Sequence, residues 1–144
     1  MEKTATTGNH GDKIRSDCRI RVEIKSQSGG PELTLNSKVA ALYGKQTEKL
    51  IGEMLDFFGL SQVRVTVDDS GALPFVIAAR LEAALREVST IEKEFLPEVL
   101  PGNQDVTDPA RFRLSRLYPP GNTPRMMINA GIHHPHGIIL DLED

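Results

Sequence analysis

The chain has 144 residues, 39% of them hydrophobic, which is enough for one modest core and little more. Its 17 basic and 20 acidic residues leave a net charge of −3, with no basic stripe and interleaved aromatics, so nucleic-acid binding is excluded. No apolar run approaches the ~20 residues that span a bilayer, and MEKTATTGNHGDK lacks the apolar centre of a secretory signal. The single Cys18 permits no internal disulfide and suits a reducing compartment, so a cytoplasmic location is expected.

In chain order, residues 1–16 are polar and are expected to form a flexible arm. Cys18 to Ile24 alternates apolar and polar, which predicts a strand with Cys18, Ile20, Val22 and Ile24 on one face. Gln27 to Pro31 is turn chemistry, and Glu32 to Asn36 is a second alternating strand, so a hairpin is expected. Ser37 is placed to cap a helix reaching about Phe58, with Val39, Tyr43, Leu50, Met54 and Phe57/Phe58 as its apolar stripe and Gly59 as its stop. Gln62 to Asp68 is a third strand with Val63, Val65 and Val67 inward. Asp69 or Ser70 then caps a second helix, with Pro74 in its first turn and Ile77, Leu81, Ala84, Leu85, Val88, Ile91 and Phe95 on its buried side. The order ββαβα gives an α+β domain over residues 17–96, a three-stranded sheet covered on one face by two helices.

Residues 97–112 hold three of the nine prolines and read as a linker. Residues 113–144 then form a βαβ unit. A short strand at Arg116 to Tyr118 is broken by Pro119-Pro120-Gly121, a helix enters through Thr123-Pro124, and a near-continuous apolar strand runs from Gly137 to Leu142. One such unit cannot bury its own sheet faces, so a truncated larger α/β domain is expected.

The compact domain has no Gly-rich phosphate loop, no paired carboxylates in an apolar setting and no Ser/His/Asp set, so no catalytic residue is assigned. His133, His134 and His136 sit in a loop with no fourth ligand nearby and match no common zinc spacing, so no metal site is assigned. Cys18 lies on the apolar side of its strand and is expected in the core. A small sheet under two helices is also a common scaffold for ligand sensing or protein interaction, and fold alone does not exclude a non-enzymatic module.

Asp68-Asp69-Ser70-Gly71-Ala72-Leu73, followed by Ala78-Ala79-Arg80-Leu81-Glu82-Ala83-Ala84-Leu85, resembles the V-D-D-x-G-A-L and A-R-L-E-A runs of the citrate lyase acyl carrier (gamma) chains. Ser16 to Val22 resembles that family's serine, Asp and I-R-I strand, and the likeness covers roughly residues 11 to 90. The tail independently resembles the start of the beta chain of the same enzyme, where P-G-N-x-P-R follows one strand and I-L-D-L-E-D forms the next. There the family has Arg directly before the Ser that opens the first strand, whereas Leu114 precedes Ser115 here and Arg113 stands one residue earlier. The resemblance implies a gamma chain fused to the opening of a (β/α)8 barrel.

That resemblance implies a carrier bearing triphosphoribosyl-dephospho-coenzyme A on a serine. Its partners are the citrate lyase alpha and beta chains and a prosthetic-group transferase. The alpha chain exchanges acetyl for citryl on the arm, and the beta chain cleaves the citryl thioester to oxaloacetate with Mg2+, which belongs to the complete beta domain only. A citramalate-type lyase is the related alternative. The attachment residue is expected to be Ser16, with Asp17 beside it as a cofactor contact. With the strand aligned without a gap, the family's modified position falls on Arg15, one residue early. Ser70, in Asp69-Ser70-Gly71, is the competing serine, and a helix cap is its expected role. Asp141 and Glu143 inherit a place at the barrel's active-site edge. No lyase activity is expected from this chain alone.

Overall fold

The alternating segments build the middle of a sheet. In the computed structural model, which describes residues 3–26, 29–95, 97, 101 and 108–142, β2 (Cys18–Ile24) runs antiparallel to β4 (Val63–Asp69). Their register pairs Ile20 with Val67, Val22 with Val65 and Ile24 with Val63, so the apolar sets of both strands fall on one face. The polar residues of the same strands, among them Arg19, Arg21, Glu23 and Arg64, face solvent.

Two further strands make the sheet four-stranded, in the order β1-β2-β4-β3. β1 (Thr4–Gly8) lies antiparallel to β2, and β3 (Glu32–Ser37) lies parallel to β4. Both differ from the sequence reading. Residues 4–8 belong to the domain instead of a free arm, because Ala5 pairs with Val22 and enters the core. Gly8 closes this strand at φ 79°, where a Cβ would lie 2.0 Å from the Cys18 carbonyl oxygen, so only glycine fits. The expected β2–β3 hairpin is absent, because β4 occupies the place between those strands. The mostly exposed residues of β3 suit an edge.

The parallel pair β3 and β4 needs a crossover, and α1 (Ala40–Phe58) supplies it. Gly59 ends α1 in the left-handed region, as the sequence predicts, with its N–H on the Asp56 carbonyl. The buried stripe of α1 is Gly44, Thr47, Ile51, Met54 and Leu55, rotated from the one expected, and Tyr43 and Phe57 stand exposed. Phe57 instead packs edge-on against Phe58 and Phe95. α2 (Pro74–Val88) lies over β1 and β2 and buries Ile77, Leu81, Ala84, Leu85 and Val88 as its periodicity predicts. The result is a mixed α+β unit, with Ile20, Val22, Ile51, Val65, Leu81 and Leu85 wholly out of solvent.

The chain divides into two units, residues 1–96 and 97–144. The linker assigned to 97–112 lies mostly outside the described residues. In the second unit, β5 (Arg116–Leu117) and β6 (Gly137–Ile138) pair in parallel, joined through α3 (Pro124–Asn129) and a 3-10 turn over Ala130–His133. The pairing continues past β6, with the Asp141 N–H on the Pro119 carbonyl and the Gly121 N–H on the Asp141 carbonyl. The predicted strand, parallel partner and intervening helix are present. The burial is not, since Ile138, Ile139, Leu140 and Leu142 are exposed, two strands and one short helix being too few to cover both faces.

Candidate functional site

The two motifs singled out in the sequence meet where β2 begins and β4 ends. Beyond the last ladder pair, Cys18 with Asp69, the strands stay joined. The Ser70 N–H donates to the Asp17 carbonyl at 3.0 Å, and the Ser16 N–H donates to the Ser70 carbonyl at 3.1 Å. Both candidate serines therefore stand at one corner of the sheet, in opposite situations.

Asp69 shapes the β4 side of this corner. Its carboxylate is buried, accepting the N–H groups of Gly71 at 2.9 Å and Ala72 at 2.7 Å and the Ser37 hydroxyl at 2.5 Å. This Asx turn, with Gly71 at φ 82°, redirects the chain from strand to helix. Ser70 takes no part in it. Its hydroxyl is buried and has no hydrogen-bond partner, and the first turn of α2 begins after Leu73, which makes no side-chain cap. The expected cap at Ser70 is thus corrected: Asp69 satisfies the turn, and the Ser70 hydroxyl is buried. Ser37 is likewise no helix cap in the expected sense, since it ties β3 to Asp69 and accepts the Val39 N–H.

Asp17 anchors the β2 side. It is 3% exposed, and Arg80 of α2 grips it through both oxygens, Nε to Oδ1 at 3.1 Å and a terminal nitrogen to Oδ2 at 3.0 Å. Asn9 Nδ2 and the Cys18 N–H complete its acceptors at 3.1 and 2.8 Å. A bidentate guanidinium with two further donors is the arrangement that makes a buried carboxylate tolerable. Thr7 Oγ1 donates to the Arg80 carbonyl at 2.6 Å, so β1, β2 and α2 are fastened together at this point. Asp17, expected as a cofactor contact, has both carboxylate oxygens engaged within the fold. Cys18 beside it is fully buried, and burial, followed by the charges of Asp17 and Asp69, pushes its thiol up to about 12. It is no nucleophile.

Ser16 sits one residue outside this anchor, half-buried and at φ 57°. A left-handed non-glycine residue held between a loop and a fixed strand start is unusual and is favoured at sites of function. Lys13 and Arg15 are exposed in the preceding loop, where Arg15 donates to the carbonyls of Asp12 and Ile14. Arg19 pairs with Asp68 at 2.7 Å, and Asp68 is held below the usual carboxylate range by the Asn36 side chain first and by Arg19 next. Ser16 thus stands partly exposed next to a buried ion pair, with the exposed basic side chains of Lys13 and Arg15 in the loop before it.

An apolar cavity of about 340 Å³ opens on the far side of the Gly71–Leu73 loop, between α1 and the start of α2. Neither this cavity nor the roles of Asn9 and Arg80 emerged from the sequence. Only Arg80 left a signal there, as a charge inside the A-R-L-E-A run.

In the second unit, Asp141 is exposed, and Glu143 and Asp144 lie outside the described residues. His136 meets Ser115, Oγ to Nδ1 at 3.2 Å, and its N–H donates to the same hydroxyl. Among the described residues no three His, Cys, Asp or Glu side chains gather as a metal site, and no helix is long and apolar enough to cross a membrane.

Residues 2–88 match the family described as ACP, malonate decarboxylase delta subunit (MdcD). The citrate lyase acyl carrier protein of Lactobacillus helveticus is 43% identical over 96 residues, 66% of this chain and 96% of its own length. Those of Rhodopseudomonas palustris and Treponema denticola are 37% identical over 70 residues and 35% over 74, covering 49% and 51% of this chain and 70% and 82% of their own. The matched span contains the whole four-stranded sheet, both helices and the Ser16–Asp17–Arg80 corner, and the chain belongs to this acyl carrier family, to which the citrate lyase acyl carrier proteins are its relatives.

Proposed function

We propose that the chain is the acyl carrier of a citrate lyase-type complex, with its prosthetic group attached through Ser16 Oγ. The observation that carries the assignment is the contrast at one corner: Ser16 is partly exposed and adjoins the buried Asp17–Arg80 pair, whereas the Ser70 hydroxyl is buried. The group is the triphosphoribosyl-dephospho-coenzyme A implied by the sequence resemblance. When bound, it supplies a thiol on which acetyl and citryl groups are held as thioesters.

The chain's own residues do the rest. Ser16 fixes one end of the arm, and Asp17, Arg80 and Asn9 hold that end in place against β2. Lys13 and Arg15 offer charge to phosphates near the attachment. A tethered thioester is presented at high effective concentration to two active sites on separate partners, the alpha and beta chains. A prosthetic-group transferase is the third partner, and a reducing cytoplasm suits an arm ending in a thiol.

For residues 113–144 we propose the opening of a beta-chain-like barrel. What supports it is the parallel β5–β6 pair with its exposed apolar strand, a sheet that awaits further strands. Asp141 and Glu143 then lie at the edge where such barrels place their active sites.

Co-expression of the chain with an active transferase, followed by intact-mass measurement, tests the carrier role. A phosphate-rich adduct is expected on the chain. An unmodified chain beside a transferase that modifies another citrate lyase acyl carrier protein contradicts it.

A further inference from the structure

The cavity between α1 and the start of α2 is lined by uncharged side chains. Its apolar wall is Leu50, Ala72, Leu73, Pro74 and Ile77, and the side chains that bring a polar group are Tyr43, Gln46 and Thr47, all neutral. No charged side chain lines it. Ile77 and Thr47 are buried at its floor, whereas Tyr43 is 54% and Leu73 41% exposed, so an apolar floor stands behind an open mouth. Its volume, about 340 Å³, falls at the lower end of the ~300–1,000 Å³ common for small-molecule sites.

The position matters as much as the lining. Gly71, Ala72 and Leu73 form one wall, and they directly follow Ser70, whose carbonyl holds the Ser16 N–H. The mouth is thus a few residues from the proposed attachment point. The basic residues lie on the attachment side, at Lys13 and Arg15, and not in the cavity. An arm with phosphates at its root and a neutral thioester at its tip matches that division of charge.

We propose that this cavity is a resting site for the tip of the chain's own arm when it carries a short uncharged acyl group such as acetyl, and that it rejects the tip when the acyl group bears free carboxylates, as citryl does. The inference rests on the carrier assignment. An uncharged thioester and its methyl group lose little on leaving water and gain apolar contact. A carboxylate entering the same space meets no cation and only the neutral polar groups of Tyr43, Gln46 and Thr47, and desolvation keeps it out. The acetyl form is therefore shielded from hydrolysis between encounters, and acyl exchange releases the arm for cleavage.

Amide spectra of the isotopically labelled chain decide this, recorded on unloaded, acetyl-loaded and citryl-loaded protein whose loading is confirmed by intact mass. The acetyl form should shift the signals of Gln46, Thr47, Leu50, Ala72 and Ile77, and the citryl form should return them to their unloaded positions. Ala72→Leu, which fills the cavity, should abolish the acetyl-dependent shift. Leu73→Asp places a carboxylate at the rim, at the N-cap position where Asp favours the helix, and should also abolish it in a well-folded chain. Confirmed loading with shifts confined to residues around Ser16, or equal cavity shifts from acetyl and citryl, would overturn the resting site and leave the carrier role standing. Failure to load at all would remove both.

Discussion

Ile20 and Val65 are completely buried, whereas Ile138, Ile139 and Leu140, equally apolar and also in or beside a strand, are 41–49% exposed. Local sequence does not separate these two sets. The difference lies in their partners. In residues 1–96 four strands lie side by side, with α2 over β1 and β2 and α1 against β3, while among the described residues β5 and β6 pair only with each other. Alternation or an apolar run specifies that a strand forms. Burial is a property of the whole layer arrangement, and the first unit has a complete one.

The largest expected effect is at the anchor of the first unit. Arg80→Ala should cost ~3–5 kcal/mol in urea unfolding, because it strands the Asp17 carboxylate in the interior. A loss no greater than that of an exposed ion pair would mean that the corner is not a buried anchor. Next comes packing. Leu81→Ala should cost ~2–5 kcal/mol, and Ile139→Ala, on the exposed strand, no more than ~0.5 kcal/mol. Equal costs would erase the contrast between the units.

A third effect is alkaline. The Cys18 thiol ordinarily titrates near 9.0 and is pushed up to about 12 in the folded chain. The native state therefore holds its proton more tightly than the unfolded state. The stability this gives is complete below pH ~9 and is lost as pH rises towards 12. Unfolding midpoints measured from pH 8 upward should fall, and Cys18→Ala should flatten that decline. The smallest effect is at Ser70, whose Oγ is the one buried side-chain polar atom without a hydrogen-bond partner among the described residues. Ser70→Ala removes a hydroxyl that bonds to nothing, so stability should change by less than ~0.5 kcal/mol or rise. A loss of ~1 kcal/mol, the usual worth of a helix cap, would restore the capping role.

Elements with strong periodicity were legible in the sequence: β2, β4, the inward face of their valines, α2 and the Gly59 stop. β1 was missed because Thr4–Gly8 is almost all polar and small, and only Ala5 turns inward. The strand order was missed because β3 pairs with a strand 32 residues on in register, across α1, and nothing local distinguishes that from a hairpin. The site was half legible. Ser16 and Asp17 stand together in the chain, but the meaning of Asp17 depends on Arg80, 63 residues away, and the sealing of Ser70 depends on the closed end of the sheet.

Peptide mass mapping of Ser16→Ala and Ser70→Ala chains, each co-expressed with the transferase, tests the assignment most directly. With the arm on Ser16, the Ser16→Ala chain emerges folded and unmodified, and the Ser70→Ala chain carries the adduct on the peptide containing Ser16. An adduct that persists in Ser16→Ala and vanishes in Ser70→Ala would contradict it.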